Sequence, residues 1–118
     1  METINERIIN AVASVVPVCV PDEFKSTVGG EVSEYCTFNY TEVPESFGDG
    51  EPGAIRYLCY IHYYVPLRSG MNENTLAKRK ALRRALFSAG FTYPEVTNAS
   101  DGEDQHFVFE CEAFDGEV

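Results

Sequence analysis

One aromatic and apolar segment, residues 55–65, limits the folds open to this chain more than any other feature. Its sequence, IRYLCYIHYYV, alternates between two sets of side chains. The first set is apolar or aromatic throughout: Ile55, Tyr57, Cys59, Ile61, Tyr63 and Val65. The second set is more polar: Arg56, Leu58, Tyr60, His62 and Tyr64. Because alternate residues of a strand point to opposite faces of a sheet, the segment predicts a long strand that carries bulky side chains on both faces.

Two other segments show the same period of two. In YCTFNYTEV, Cys36, Phe38 and Tyr40 alternate with polar residues, so we expect one face of this strand to be buried and the other to face water. At the end of the chain the segments on either side of the turn signal Asp101-Gly102 predict a hairpin, whose second strand alternates from His106 onward. The short piece PVCVP lies between two prolines, which suits the edge of a sheet.

Two segments have the spacing of amphipathic helices. The first begins at the capping box Thr3-x-x-Glu6 and stops before Pro17, which predicts about 13 helical residues. The second is NENTLAKRKALRRALFSAG, with Gly90 in the place of a helix C-cap. On a helical wheel its apolar stripe consists of Ala81, Leu82, Ala85, Leu86 and Ala89.

The order of these elements predicts the fold class. A chain of 118 residues fits one domain, residues 1–118. Helix, short edge piece, strand, loop, long strand, helix, strand and strand together indicate an α+β domain. We expect an antiparallel sheet of about four strands with two helices packed on one face.

Charge is distributed unevenly along the chain. Residues 1–70 hold ten acids and four bases (−6), residues 71–90 one acid and five bases (+4), and residues 91–118 eight acids and no base (−8), which gives the net −10. This acidic balance argues against specific binding of nucleic acid, because phosphate contacts need a basic surface. One basic helix therefore lies within an acidic chain.

Side chains that carry chemistry do not form a recognisable catalytic or metal site. Cys59 and His62 are three residues apart on one strand and so point to opposite faces, as do Cys111 and His106 at a separation of five. A cross-strand pair of His62 with His106 stays open. Neither zinc spacing nor a calcium loop is present, and we expect no cofactor, no metal and no enzymatic activity.

The chain lacks the signals of export and of a membrane span. The amino terminus, METINERIIN, carries acidic and polar residues where a signal peptide would carry lysines, and no apolar run approaches about 18 residues. We therefore expect a cytoplasmic location and no membrane partner. In such a compartment the four cysteines would stay reduced, as small buried side chains.

The basic side of the second helix admits three interpretations. Lys80, Arg83 and Arg84, with Phe87 among them, form either a solvated helix face, a nucleic-acid surface, or a surface for self-association. In the third interpretation the basic patch of one copy meets acidic residues of the next copy, for which the hairpin tip offers Asp101, Glu103 and Asp104. Such a head-to-tail contact closes into a ring or continues as a filament.

The segments PGAIRYLCYIHYYVPLRS, NENTLAKRKALRRALFSAGF and DGEDQHFVFECEAF follow one another in an order that resembles the tail terminator, or tail completion, proteins of long-tailed bacteriophages and prophages. The resemblance covers nearly the whole chain and concerns its layout. It implies a structural, non-enzymatic protein that forms a hexameric ring, caps the tail tube and joins the tail to the head connector. Its location would then be the host cytoplasm and the neck of the virion.

Two alternatives remain from the residues alone. The first is a small acidic inhibitor or immunity-type protein, a monomer whose acidic face covers a basic partner. The second is an enzyme with a pocket that contains Tyr60 and His62. In the ring hypothesis the same face, with Tyr60, His62 and Tyr64, is instead covered by a neighbouring subunit.

Overall fold

A computed structural model describes residues 3–27, 34–45, 54–66, 76–100 and 104–115. These residues form two α-helices, one 3₁₀ helix and five strands. In chain order they are α1 (Ile4–Ala13), β1 (Cys19–Pro21), the 3₁₀ helix (Asp22–Thr27), β2 (Tyr35–Glu45), β3 (Ala54–Pro66), α2 (Leu76–Ser88), β4 (Glu95–Asn98) and β5 (Asp104–Asp115).

The five strands form one sheet in the order β1-β2-β3-β5-β4. The predicted α+β class is confirmed, and the segment around residue 60 is the central strand, β3. The sheet has one strand more than expected and is mixed, because β1 runs parallel to β2 while all other neighbours are antiparallel. A parallel neighbour requires a crossover, and the chain enters it through the 3₁₀ helix.

One face of the sheet, here called the core face, carries the hydrophobic core. Register places Ile61 between Phe38 of β2 and Phe109 of β5, and all three side chains are buried. Buried residues of both helices belong to the same cluster: Ile8 and Val12 of α1, and Leu82 and Leu86 of α2. Both helices therefore cover one face, as the sequence predicts.

Helix α1 starts as predicted but is shorter. Thr3 is the N-cap, and the reciprocal contacts between Thr3 and Glu6 form the expected capping box. The helix has 10 residues and ends at Ala13, with Ser14 as its C-cap. The N–H groups of Val15 and Val16 both donate to the carbonyl of Val12, so the last turn tightens before Pro17.

Helix α2 buries a narrower stripe than its sequence suggests. Leu82 and Leu86 are fully buried, whereas Ala89 is exposed. Gly90 ends the helix at φ 97°, a conformation that favours glycine, and the N–H of Phe91 donates to the carbonyl of Leu86. The N–H of Gly90 donates to Phe87, which completes a Schellman motif. The C-cap at Gly90 is thus confirmed.

The opposite face of the sheet, here called the open face, differs from expectation on β2. We expected Thr37 to face water, but it is fully buried. Its hydroxyl donates to Asp22 Oδ1 at 3.0 Å, because the 3₁₀ helix lies over this part of the strand. The 3₁₀ helix, which the sequence predicted only as a connection, therefore covers one end of the open face.

Candidate functional site

The open face begins with a row of stacked rings on three neighbouring strands. Tyr64 of β3 lies opposite Tyr35 of β2 and opposite His106 of β5. Its ring stacks on both, with centroids 5.0 Å from Tyr35 and 4.2 Å from His106. Lys25 of the 3₁₀ helix places its Nζ 4.2 Å from the centroid of the Tyr64 ring. This aromatic row (Tyr35, Tyr64 and His106) is held by the chain's own residues.

The aromatic row changes the expectation for Tyr64. The sequence predicted that a neighbouring subunit covers Tyr64, but the exposed fraction of Tyr64 is only 9% within the single chain. The rings of Tyr35 and His106 and the side chain of Lys25 cover it. Tyr64 is therefore a structural residue, and the part of the open face that a partner can reach starts nearer to His62 and Tyr60, which are half-buried.

The two histidines of the chain contact each other, a pairing that the sequence leaves open. Nδ1 of His62 lies 2.9 Å from Nε2 of His106, and the Nδ2 of Asn39 lies 3.4 Å from Nε2 of His62. Partial burial lowers the pKa of His62, and Lys25 acts in the same direction, while Asp22 opposes them. A neutral ring at His62 is consistent with this contact.

The cysteines lie on the core face, away from both histidines. Cys59 and Cys111 are direct partners on β3 and β5, and both are buried. The interaction between the two thiols lowers the pKa of Cys59 and, together with burial, raises the pKa of Cys111. Burial raises the pKa of Cys19 to about 12. The separation of thiol from imidazole that strand parity predicts is thus confirmed for Cys59 with His62 and for Cys111 with His106.

No group of three or more metal-ligating side chains is found among the described residues. The open face does hold a depression of about 230 Å³ that Tyr60 lines, but His62 is not part of its wall. The enzyme hypothesis requires a pocket that contains both Tyr60 and His62, and this depression contains only Tyr60.

The acidic residues of the depression come from two neighbouring strands and were not singled out from the sequence. Glu110 of β5 lies opposite both Tyr60 of β3 and Glu95 of β4, and both glutamates are exposed. Glu112 follows on the same face and pairs with Arg56 at 3.2 Å. We call this site the acidic depression; its further walls include Leu58, Thr92 and Tyr93. The sequence signal that could have found these acidic residues is the alternation of apolar and polar residues along β5. It places Glu110 and Glu112 on the face away from the core.

The basic patch predicted on α2 lies on the outer side of that helix. Lys80, Arg84 and Phe87 are exposed, whereas Arg83 is half-buried. The Nε of Arg83 is buried and makes no hydrogen bond within the described part of the chain. Lys78, which precedes the patch, points the other way and donates to Glu34 at 2.9 Å.

An exposed aromatic pair lies at the end of α2. Phe87 and Tyr93 contact each other edge to face with centroids 5.7 Å apart, and their exposed fractions are 58% and 57%. Phe87 was predicted from the sequence as an interface residue. Tyr93 was not, because Tyr93 follows Gly90 and lies outside any periodic segment. The turn at Gly90 brings the two rings together, so that Phe87 extends the basic patch and Tyr93 lines the acidic depression.

The remaining predicted interface residues lie at the hairpin tip. Asp101 and Glu103 fall outside the described residues, and Asp104 is the first residue of β5, opposite Pro66. Their proposed contact with the basic patch therefore stays a prediction.

Comparison of the chain with models of protein families and with curated proteins finds no match to either. Within the parts of the chain that the structure covers, neither α-helix combines the length and apolar character needed to cross a lipid bilayer.

Proposed function

We propose that the protein is a structural subunit of virion assembly, a ring-forming tail terminator or head-tail joining component that caps the tail tube of a phage or prophage. The observation that carries this proposal is the exposed pair Phe87–Tyr93 beside the cations Lys80 and Arg84, on a chain of net charge −10. Exposed aromatic side chains next to arginine are typical of protein interfaces, and the rest of the chain offers the complementary negative charge.

The order of the elements in the fold supports the proposal. A capped amino-terminal helix, a long central aromatic strand, a basic second helix and a carboxy-terminal strand pair follow in that order. In this role the sheet and helices are scaffold, and the contacts between copies are the function. The partners are further copies in a hexameric ring, the tail-tube protein and the head connector.

Mass in solution and action on tail tubes test the proposal together. The wild-type chain is studied by sedimentation velocity at micromolar concentration in low and high salt, and its particles are imaged by negative-stain electron microscopy. The same protein is added to growing tubes of a phage tail-tube protein from the same genome. We expect salt-sensitive multimers with ring-shaped particles, or rings that appear on tube ends, and arrest of tube growth. A chain that stays monomeric and neither binds tubes nor arrests their growth contradicts the proposal.

A second candidate is a small acidic inhibitor or immunity-type protein. The acidic depression favours it, because Glu95 and Glu110 present two carboxylates on one exposed surface. This function predicts a chain that binds a basic enzyme, stays monomeric at every concentration and has no effect on tail tubes. Sedimentation together with the tube assay therefore separates the two candidates.

A further inference from the structure

We infer that the acidic depression of one copy receives the outer face of α2 from a second copy of this chain, so that Arg84 of one copy lies against Glu95 and Glu110 of the next. This inference rests on the proposed function, since it specifies the contact between neighbouring subunits of the ring. It places the acidic half of that contact on β4 and β5, whereas the sequence pointed to the hairpin tip.

The two surfaces lie on opposite faces of one sheet. Helix α2 packs on the core face through Leu82 and Leu86. Strand register places Tyr60, Glu95 and Glu110 on the open face, where they line the depression. Within one copy, no ion pair among the described residues joins Arg84 to Glu95 or Glu110. A second copy brings these complementary charges together.

Two exposed cations of α2, Lys80 and Arg84, are available for such a contact. In the described ranges no carboxylate lies within 4 Å of Lys80, Arg83 or Arg84, and the two ion pairs found there join Arg56 to Glu112 and Lys78 to Glu34. An exposed arginine presents several N–H donors in a planar fork, which matches the geometry of carboxylates better than a lysine does. Arg84, which is exposed on the outer side of α2, is the residue best placed to use this geometry.

The carboxylates of the depression in turn favour a cation. Glu95 and Glu110 are direct cross-strand partners, and like charges in that position repel each other. A guanidinium placed between the two carboxylates would attract both and offset their repulsion. Neither glutamate takes part in the ion pair of Arg56, whose partner is Glu112.

The aromatic pair links the two surfaces and gives the contact an apolar part. Phe87 continues the outer face of α2, and Tyr93 forms part of the wall of the depression. Both rings are more than half exposed in the single chain, and aromatic side chains of this kind supply much of the energy of protein contacts once covered. Because the basic and acidic surfaces differ, the contact is heterologous, as a closed ring requires.

A charge-swap experiment on the full chain tests the inference. The variants are Arg84→Glu, Glu110→Arg and the two combined, with Glu42→Lys as a matched control. Glu42 is exposed on β2, has the strand parity of the core face and does not line the depression. Circular dichroism checks that each variant is folded, and sedimentation velocity in low salt measures the dissociation constant of the multimer.

We expect each single reversal to raise the dissociation constant by about tenfold or more, because close charge pairs at interfaces contribute coupling energies of that size. The combined variant should recover most of this loss, and Glu42→Lys should leave the wild-type value unchanged. If the wild type forms multimers and both single-reversal variants form them with the same dissociation constant, this contact is overturned and the proposed function is not affected. Failure of the combined variant to recover while both singles dissociate also overturns it. A wild-type chain that forms no multimer, alone or on tail tubes, overturns the proposed function and this contact with it.

Discussion

His62 Nδ1 lies 2.9 Å from His106 Nε2, although the two residues are not direct partners in the register of β3 and β5. A neutral imidazole has one donor and one acceptor nitrogen, whereas a protonated ring has two donors. The contact therefore requires at least one neutral ring, and double protonation would set two donors against each other. The half of the open face that adjoins the aromatic row is thus arranged for neutral histidine.

This contact predicts that acid weakens the fold before the carboxylates titrate. Burial lowers the pKa of His62 in the folded state, with Lys25 adding to the effect and Asp22 opposing it. Between the folded pKa and the ordinary value near 6.5, the unfolded chain binds more protons than the folded one, so stability rises with pH. We expect the free energy of unfolding, measured by urea titration, to fall as pH decreases from about 7.5 to about 5.5.

The variant His62→Gln isolates this effect, because it removes the titrating ring and keeps a polar side chain. Its free energy of unfolding should depend less on pH over the same interval than that of the wild type. Equal slopes in the two proteins would show that His62 does not carry the pH dependence.

The second prediction compares the cost of removing a buried and an exposed phenylalanine of the same strand, β5. Phe109 is fully buried opposite Ile61 and Val96, whereas Phe114, five residues later on β5, is 54% exposed. Phe109→Ala should lower the free energy of unfolding by about 3–5 kcal/mol, because it leaves a cavity in the core. Phe114→Ala makes the same chemical change on the other face and should cost about 0.5 kcal/mol. Urea denaturation at neutral pH measures both, and similar losses would contradict the assigned faces of β5.

Period-two patterns in the sequence predict which side of β2, β3 and β5 faces the hydrophobic core. Ile61, Phe38 and Phe109 come from three separate segments, and each lies on the predicted core side. The reason is that a one-residue slip would expose the whole apolar set, so the pattern and the register determine each other. The same parity rule correctly assigns Cys59 and His62 to opposite faces of β3.

Features that depend on contacts between distant segments could not be predicted in this way. Thr37 is buried because Asp22 and its 3₁₀ helix cover it, and no local pattern indicates that contact. Tyr93 becomes part of the candidate site only because the turn at Gly90 places it beside Phe87. The parallel pairing of β1 with β2 likewise involves only three residues, too few to show a period.

A buried polar contact between β3 and the residue that precedes β2 gives the last prediction. The hydroxyl of Tyr63, whose side chain is almost fully buried, donates to Glu34 Oε2 at 2.6 Å. Lys78 of α2 donates to the other oxygen of Glu34 at 2.9 Å and to the carbonyl of Val15 at 3.0 Å. Glu34 therefore joins α2 to the sheet at the point where the tyrosine needs an acceptor.

Glu34→Ala should lower the free energy of unfolding by about 1–3 kcal/mol, because it removes the carboxylate that accepts from Tyr63 and pairs with Lys78. Glu34→Gln keeps an acceptor oxygen and should cost less. In a Tyr63→Phe background the cost of Glu34→Ala should shrink, since the hydrogen bond between these two residues is then already absent. Urea titrations of the four proteins of this double-mutant cycle measure the coupling. An unchanged cost in the Tyr63→Phe background would mean that Glu34 stabilises the fold through Lys78 alone.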